Sequence, residues 1–243
     1  RASLDVARGY IKRQVFADGG YMRTVVFDLD GTLADTSEDL IAAANACFEG
    51  LGHGALLDPA ADQLTAFHGG RAMLRLGFSR LDRATFEADV DLQYPNFLRH
   101  YGENIDVHTR LYPGAEAAVE RLLSNGYRTA ICTNKPEALA ETLMQKLGVR
   151  GLFGSLIGAD TLATRKPDAA PYLTCVERAG GSVEASFLIG DTETDVKTAR
   201  AVGVPCVLVS FGPEGPGIAR LTPDAMLDRY EDLDRITEVL LRK

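Results

Sequence analysis

The stretch Val25-Val26-Phe27-Asp28-Leu29-Asp30-Gly31-Thr32 decides how the rest of the chain is read. Its apolar half is β-branched and aromatic and stops at turn chemistry, which predicts a short buried strand. The carboxyl end of that strand then carries two acids with only Leu29 between them. In extended backbone their side chains would share a face, and Gly31 marks where the chain bends away. Two carboxylates about 4 Å apart at an effective dielectric of about 20 repel by roughly 4 kcal/mol unless a cation or a shared proton relieves them. A sequence that only has to fold has little reason to accept that cost. The plainer alternative is a loop whose two solvated acids cap the following helix.

Outward from this stretch the pattern turns helical. Thr36 and Asp39 have the spacing of a capping box, and Leu40, Ala44, Cys47 and Leu51 recur at helical intervals. No strand-like run appears before Leu111; residues such as Met73, Leu74, Phe78, Val90 and Phe97 read as helical faces broken by Gly and polar turns. Alternation then resumes, with helices predicted at 115–124, 137–147, 170–179 and 195–202 and strands at 129–133, 155–158, 187–190 and 206–209. This order implies an α/β fold: a Rossmann-like, mostly parallel sheet covered by helices on both faces, with a helical block inserted early. The expected divisions are a core of residues 22–36 and 112–243, an inserted helical domain of residues 37–111, and an unassigned extension at 1–21. The extension lacks the continuous apolar segment of a secretory signal, so export is not expected.

Composition narrows the partners. With 243 residues, 46% of them hydrophobic, the chain can bury a sizeable core. A formal net charge of −8 and a pI near 5.1 argue against nucleic acid or an anionic membrane as the main partner. No apolar run approaches the roughly 18 residues of a membrane span. Cys47, Cys132, Cys175 and Cys206 show no paired metal spacing, and Cys132 and Cys206 sit in strand-like runs as small core residues. A reduced, cytoplasmic setting is the expectation.

In an open α/β sheet, ligands sit at the carboxyl ends of the strands. The predicted first strand brings Asp28 and Asp30 to that rim, and the next brings Thr133 and Asn134. Arg165-Lys166-Pro167-Asp168 precedes a helix, and a further strand runs into Gly190-Asp191-Thr192-Glu193-Thr194-Asp195. Acids, a hydroxyl, an amide and a lysine would thus converge. Phosphoryl chemistry needs such a set: a nucleophile, a proton-transfer group, a divalent cation site and donors for phosphate oxygens.

With DxDGT at Asp28 to Thr32, Thr133, Lys166-Pro167 and GDxxxD at Gly190 to Asp195, the chain resembles the haloacid dehalogenase superfamily of phosphohydrolases from Met22 to Lys243. Within it, Cys132-Thr133-Asn134-Lys135-Pro136-Glu137, Arg165 to Asp168 and Val209-Ser210-Phe211-Gly212 look like the bacterial phosphoglycolate phosphatase group. The resemblance implies that Asp28 attacks phosphorus and forms an aspartyl-phosphate, while Asp30 protonates the leaving alkoxide and later takes a proton from water. It implies Mg²⁺ held by Asp28, the Asp30 carbonyl and Asp191, with Asp195 orienting the metal or its waters from behind. Thr133 and the Asn134 backbone N–H would hold phosphate oxygens, and Lys166 would balance the charge.

Asp30 sets aside the dehalogenases and the phosphonate-cleaving branch, which lack an acid there. The expected activity is a Mg²⁺-dependent phosphomonoesterase on a small phosphorylated metabolite, 2-phosphoglycolate first, in a monomer or homodimer. The alternatives are another small phosphate ester and a β-phosphoglucomutase-like phosphomutase. A receiver-type phospho-acceptor module would need neither Asp30 nor the helical insertion. The helical insertion at 37–111 looks like the family's small helical cap domain, and in it Phe67-His68-Gly69-Gly70-Arg71 is the candidate substrate-facing loop. Two readings of Arg71 stand side by side: a bidentate clamp on a substrate carboxylate, or a solvated residue opening a cap helix. His68 reads as a surface or capping residue, and the Gly/Pro-rich tract Phe211 to Gly217 as a loop bordering the site.

Overall fold

The computed structural model describes residues 21–81 and 85–241, so the extension predicted at 1–21 lies outside the described residues except for Tyr21. Thr24–Phe27 (β1) is buried along its whole length. Its side chains alternate: Val25 and Phe27 join one apolar cluster and Val26 the other. A strand covered on both faces has no solvent side to mark with polar residues, which is why it reads as an unbroken apolar run.

β1 lies between Arg128–Cys132 (β4) and Ser186–Gly190 (β6). Ser155–Ile157 (β5), Cys206–Val209 (β7) and Ala225–Leu227 (β8) complete a six-stranded sheet in the order β5-β4-β1-β6-β7-β8. Every pairing in it is parallel. Ala115–Ser124 (α5), Glu137–Lys146 (α6) and Leu233–Leu240 (α9) pack on the face of Phe27, and Ala169–Arg178 (α7) and Glu193–Val202 (α8) on the face of Val26. The chain builds β1, β4 and β5 in one direction, then returns to lay β6, β7 and β8 on the other side of β1. The winding reverses between β1 and β6, and the crevice at their carboxyl ends is where such sheets bind ligands.

The helical insertion leaves and returns through one narrow ribbon. Ala34–Asp35 (β2) pairs antiparallel with Arg110–Leu111 (β3). Between them come Ser37–Gly50 (α1), Gln63–Ala66 (α2), Gly70–Ser79 (α3) and Glu87–Glu103 (α4). Met73, Leu74, Phe78, Val90 and Phe97 are buried here, as their spacing predicts. Gly114 (φ 80°) turns the returning chain into α5 in a left-handed conformation that suits glycine.

Local predictions fail at three places. Thr36 and Asp39 form no capping box: the Thr36 hydroxyl donates to Asp30 Oδ1, while the Asp39 carboxylate accepts from the backbone of His108 and Thr109 and from the Thr109 hydroxyl. Asp39 thereby ties the start of the insertion to its end. The helix predicted at 195–202 begins two residues earlier, because Thr192 is the cap and Asp195 the third helical residue of a capping box. The edge strand β8 and helix α9 lie beyond the last strand anticipated.

Candidate active site

Asp28 directly follows β1. Its N–H donates to the Ile189 carbonyl at 2.8 Å, which prolongs the β1–β6 ladder and sets Asp28 beside Asp191 at the rim. Asp28 Oδ1 accepts from the Leu29 N–H at 2.7 Å, and Oδ2 lies 2.9 Å from Lys166 Nζ. Lys166 also lies 2.7 Å from Asp195 Oδ1, with its own side chain only 1% exposed. The other Asp195 oxygen accepts from the Asp191 N–H, the Thr192 N–H and the Thr192 hydroxyl. One buried carboxylate therefore caps α8, shapes the loop after β6 and holds the lysine that faces Asp28. The Asn134 carboxamide donates to the Lys166 carbonyl at 3.0 Å and fixes that loop from β4.

Electrostatics follows from this burial. Desolvation pushes the Asp28 carboxyl up to about 7 even though Lys166 pulls it down, with Asp195 and Asp30 adding repulsion. Burial, then repulsion from Asp28 and Asp195, drives Asp191 well above the ordinary carboxylate range. Burial disfavours the Lys166 ammonium, but Asp195 and Asp28 outweigh it and raise the group above its ordinary value.

Asp28, Asp191 and Asp195 bring carboxylate oxygens within 4.8 Å of one another. Asp191 Oδ1 accepts from the Thr32 hydroxyl at 3.0 Å, whereas Asp191 Oδ2 is buried without a hydrogen-bond partner among the described residues. An orphan carboxylate oxygen in an oxygen-rich, acidic cluster fits a hard divalent cation. The turn beneath it is close-packed: Gly31 has φ 78°, and a Cβ there would fall 2.2 Å from Asp191 Oδ2 and 3.0 Å from Phe67. The same proximity brings Phe67, from the candidate cap loop, to the site. Gly212 approaches the Gly31 carbonyl and Asp191, so the Gly/Pro-rich tract borders the crevice as its sequence suggests.

Asp30 points elsewhere. Its Oδ1 accepts from the Thr36 hydroxyl at 2.6 Å and from Lys135 Nζ at 2.7 Å. Both bonds fall on one oxygen. Thr133 is buried, and its oxygen accepts from the Lys135 N–H at 3.1 Å, which leaves the hydroxyl hydrogen for another acceptor.

Among the sequence-predicted residues, the structure brings Asp28, Asp30, Thr133, Asn134, Lys166, Asp191 and Asp195 to one rim. Arg71 is not among them. It lies in the first turn of α3, paired with Asp91 and stacked over the Tyr94 ring at 4.4 Å, with its side chain 44% exposed. Sequence reasoning missed Lys135, Thr32 and Thr36. Lys135 and Thr32 stand inside stretches already singled out, two residues past Thr133 and two past Asp30, where strand-end position is the available signal.

An all-parallel α/β sheet with an acid at the end of its first strand, a buried lysine against it and an acidic cluster at the reversal point defines a hydrolase class. Residues 25–209 match the haloacid dehalogenase-like hydrolases, and the chain belongs to that family. It is similar to a phosphoglycolate phosphatase of Agrobacterium fabrum, 37% identical over 220 residues that cover 90% of this chain and 92% of the relative. A phosphoglycolate phosphatase of Mesorhizobium japonicum is 36% identical over 229 residues, covering 90% and 96%. Among solved structures, a predicted phosphoglycolate phosphatase from Haemophilus somnus superposes with a TM-score of 0.74 at 25% identity, covering 89% of this chain and 98% of that one. A predicted phosphatase from Clostridium acetobutylicum shares the fold at a TM-score of 0.73 and 18% identity, covering 92% and 100%.

Proposed function

We propose that this chain is a Mg²⁺-dependent phosphomonoesterase that hydrolyses 2-phosphoglycolate to glycolate and inorganic phosphate. One observation carries the reading: Asp28 stands at the reversal point, its carboxylate held by Lys166 and the Leu29 N–H, beside the orphan oxygen of Asp191. The names of the relatives support the choice of substrate.

In this reading Asp28, Asp191 and the Asp30 carbonyl hold the cation. When bound, it offsets carboxylate repulsion and draws charge from the phosphate oxygens. An Asp28 oxygen attacks phosphorus as the ester P–O bond breaks, and Asp30 gives its proton to the departing alkoxide. Water then attacks the aspartyl-phosphate, its proton passes to Asp30, and the Asp28–phosphorus bond breaks. The Thr133 hydroxyl donates to a phosphate oxygen, the Asn134 backbone N–H serves beside it, and Lys166 counters the charge on nucleophile and phosphate together. Asp195 acts through Lys166 and the Asp191 loop, since both of its oxygens are engaged.

Phosphate release from 2-phosphoglycolate with Mg²⁺ tests this. The Asp28→Asn protein is expected to keep its fold and lose turnover, since the substitution preserves shape and removes the nucleophile. Near-wild-type release by that variant overturns the covalent route, and an isomerised phosphate ester in place of free phosphate marks a mutase.

A further inference from the structure

Among the described residues, Lys135 is the buried cation that the steps above leave unused. It stands in the loop after β4, its side chain 4% exposed, with Asp30 Oδ1 at 2.7 Å and the centroid of the Tyr101 ring 4.5 Å from Nζ. Burial disfavours the ammonium, yet Asp30 and Tyr101 outweigh it and hold the group above its ordinary value. Tyr101 comes from α4 in the helical insertion, so the contact joins insertion to sheet. Tyr101 is 1% exposed, and its buried hydroxyl interacts with the Lys135 ammonium without finding a well-formed hydrogen-bond partner among the described residues.

This arrangement is unfinished. An ammonium has three hydrogens to donate, and the hydrogen bond to Asp30 uses one of them. A buried donor left unused costs stability unless an acceptor arrives. Facing the ammonium, the Tyr101 oxygen can only accept, so its hydroxyl hydrogen likewise has no acceptor among the described residues. A single anionic group between them would satisfy both.

The position also matches the substrate chemistry. Asp30 has to reach the ester oxygen that bridges phosphorus and the leaving group. In a phosphorylated 2-hydroxy acid the carboxylate is attached two bonds from that oxygen. A cation bonded to Asp30 therefore stands where the carboxylate must lie when Asp30 addresses the bridge. Lys166 is committed to Asp28 and Asp195, and Arg71 to Asp91 and Tyr94.

Resting on the phosphatase reading, we propose that Lys135 and Tyr101 form the carboxylate subsite: the core's ammonium and the insertion's hydroxyl together select an ester whose leaving group carries a carboxylate. The subsite is complete only when insertion and sheet are apposed. Substrate choice is then made beside Asp30, not at the exposed face of α3.

The test compares kcat/KM for 2-phosphoglycolate with that for ethyl phosphate, which has the same two-carbon chain but a methyl in place of the carboxylate. In Lys135→Met the ratio is expected to fall about tenfold or more, carried mainly by KM, as befits a lost charged hydrogen bond. Tyr101→Phe keeps the ring over the ammonium and removes only the hydroxyl, so it still reads the subsite should Lys135→Met fail to fold; its ratio is expected to fall about three- to tenfold. Lys135→Arg keeps the charge and should recover part of the ratio. Equal losses on both esters in Lys135→Met, with the ratio unchanged in Tyr101→Phe, overturn the inference and leave Lys135 as a positioning partner of Asp30, the phosphatase reading intact. A wild-type protein that turns over neither ester overturns both.

Discussion

Replacing Lys166 by Met tests whether the acidic rim depends on its one shared cation. The ammonium lies 2.9 Å from Asp28 Oδ2 and 2.7 Å from Asp195 Oδ1, almost without solvent. Methionine fills a similar volume but leaves the Asp28, Asp191 and Asp195 carboxylates facing one another. Breaking a buried pair from one side costs about 3–5 kcal/mol, because the partner charge stays buried. At about 2–4 °C per kcal/mol for a chain of this size, the midpoint should drop by ~6–20 °C. The pH dependence has a definite sign. Asp28 titrates near 7 when folded, against 3.8 ordinarily, so its burial is free of penalty in acid and costs progressively more as pH rises between those values. Without the downward pull of Lys166 that penalty extends further up the scale, and the deficit of Lys166→Met should be larger at pH 8 than at pH 5. Mg²⁺ should restore part of the loss at pH 8 by supplying the missing positive charge. Thermal unfolding of both proteins at the two pH values, with chelator and with Mg²⁺, measures all three effects. A midpoint within about 2 °C of wild type at pH 8 in chelator, or a deficit that grows toward acid, refutes the reasoning.

Asp30→Asn should lose kcat by about 10²-fold or more with KM little changed, since proton transfer matters in the transition state; a rise in KM alone would falsify that role. Gly190→Ala should abolish activity and lower stability, because a Cβ there would fall 2.2 Å from Asp195 Cγ and displace the residue that holds Lys166; wild-type melting and turnover would contradict this. Asp62 accepts from both Arg80 Nη atoms, at 2.7 and 2.6 Å, which holds its carboxyl below the usual range. Asp62→Asn should cost about 1.5–3 kcal/mol at pH 7, and the deficit should shrink as pH falls through the lowered pKa and the wild-type pair is itself lost; equal deficits at pH 7 and pH 3 in urea titrations would count against the pair.

What could be read in advance depended on how local each cause is. The strands were legible because a sheet buried on both faces demands continuous apolar runs, and those at β4 to β7 lie within a residue of their expected bounds. Most of the rim was legible because strand ends can be counted along the chain. Thr36 and Asp39 misled because each satisfies a partner that spacing cannot reveal: Asp30 in one case, and Thr109, seventy residues on, in the other. Lys135 was overlooked for the same reason. Nothing beside it in sequence says that its ammonium ends between Asp30 and an aromatic ring from α4. For Arg71 the sequence left a clamp and a helix-opening residue both open, and its pairing with Asp91 and Tyr94 is one that a neighbourhood of glycines does not reveal. The edge strand β8 is three residues long and only partly buried, too short for periodicity to register.

The two-residue ribbon has an evolutionary reading. Ala34 and Leu111 are paired partners, so the chain departs and comes home at a single point. Whatever is threaded between them charges the sheet only for closing a loop, and that cost climbs slowly with length. Helices there can be lengthened, trimmed or rebuilt while Asp28, Lys166 and Asp191 keep their places on the other side of the ribbon. A lineage can thus revise the insertion's share of the choice of molecule, the part carried by Tyr101, while Lys135 and the bond-breaking residues stay fixed in the core.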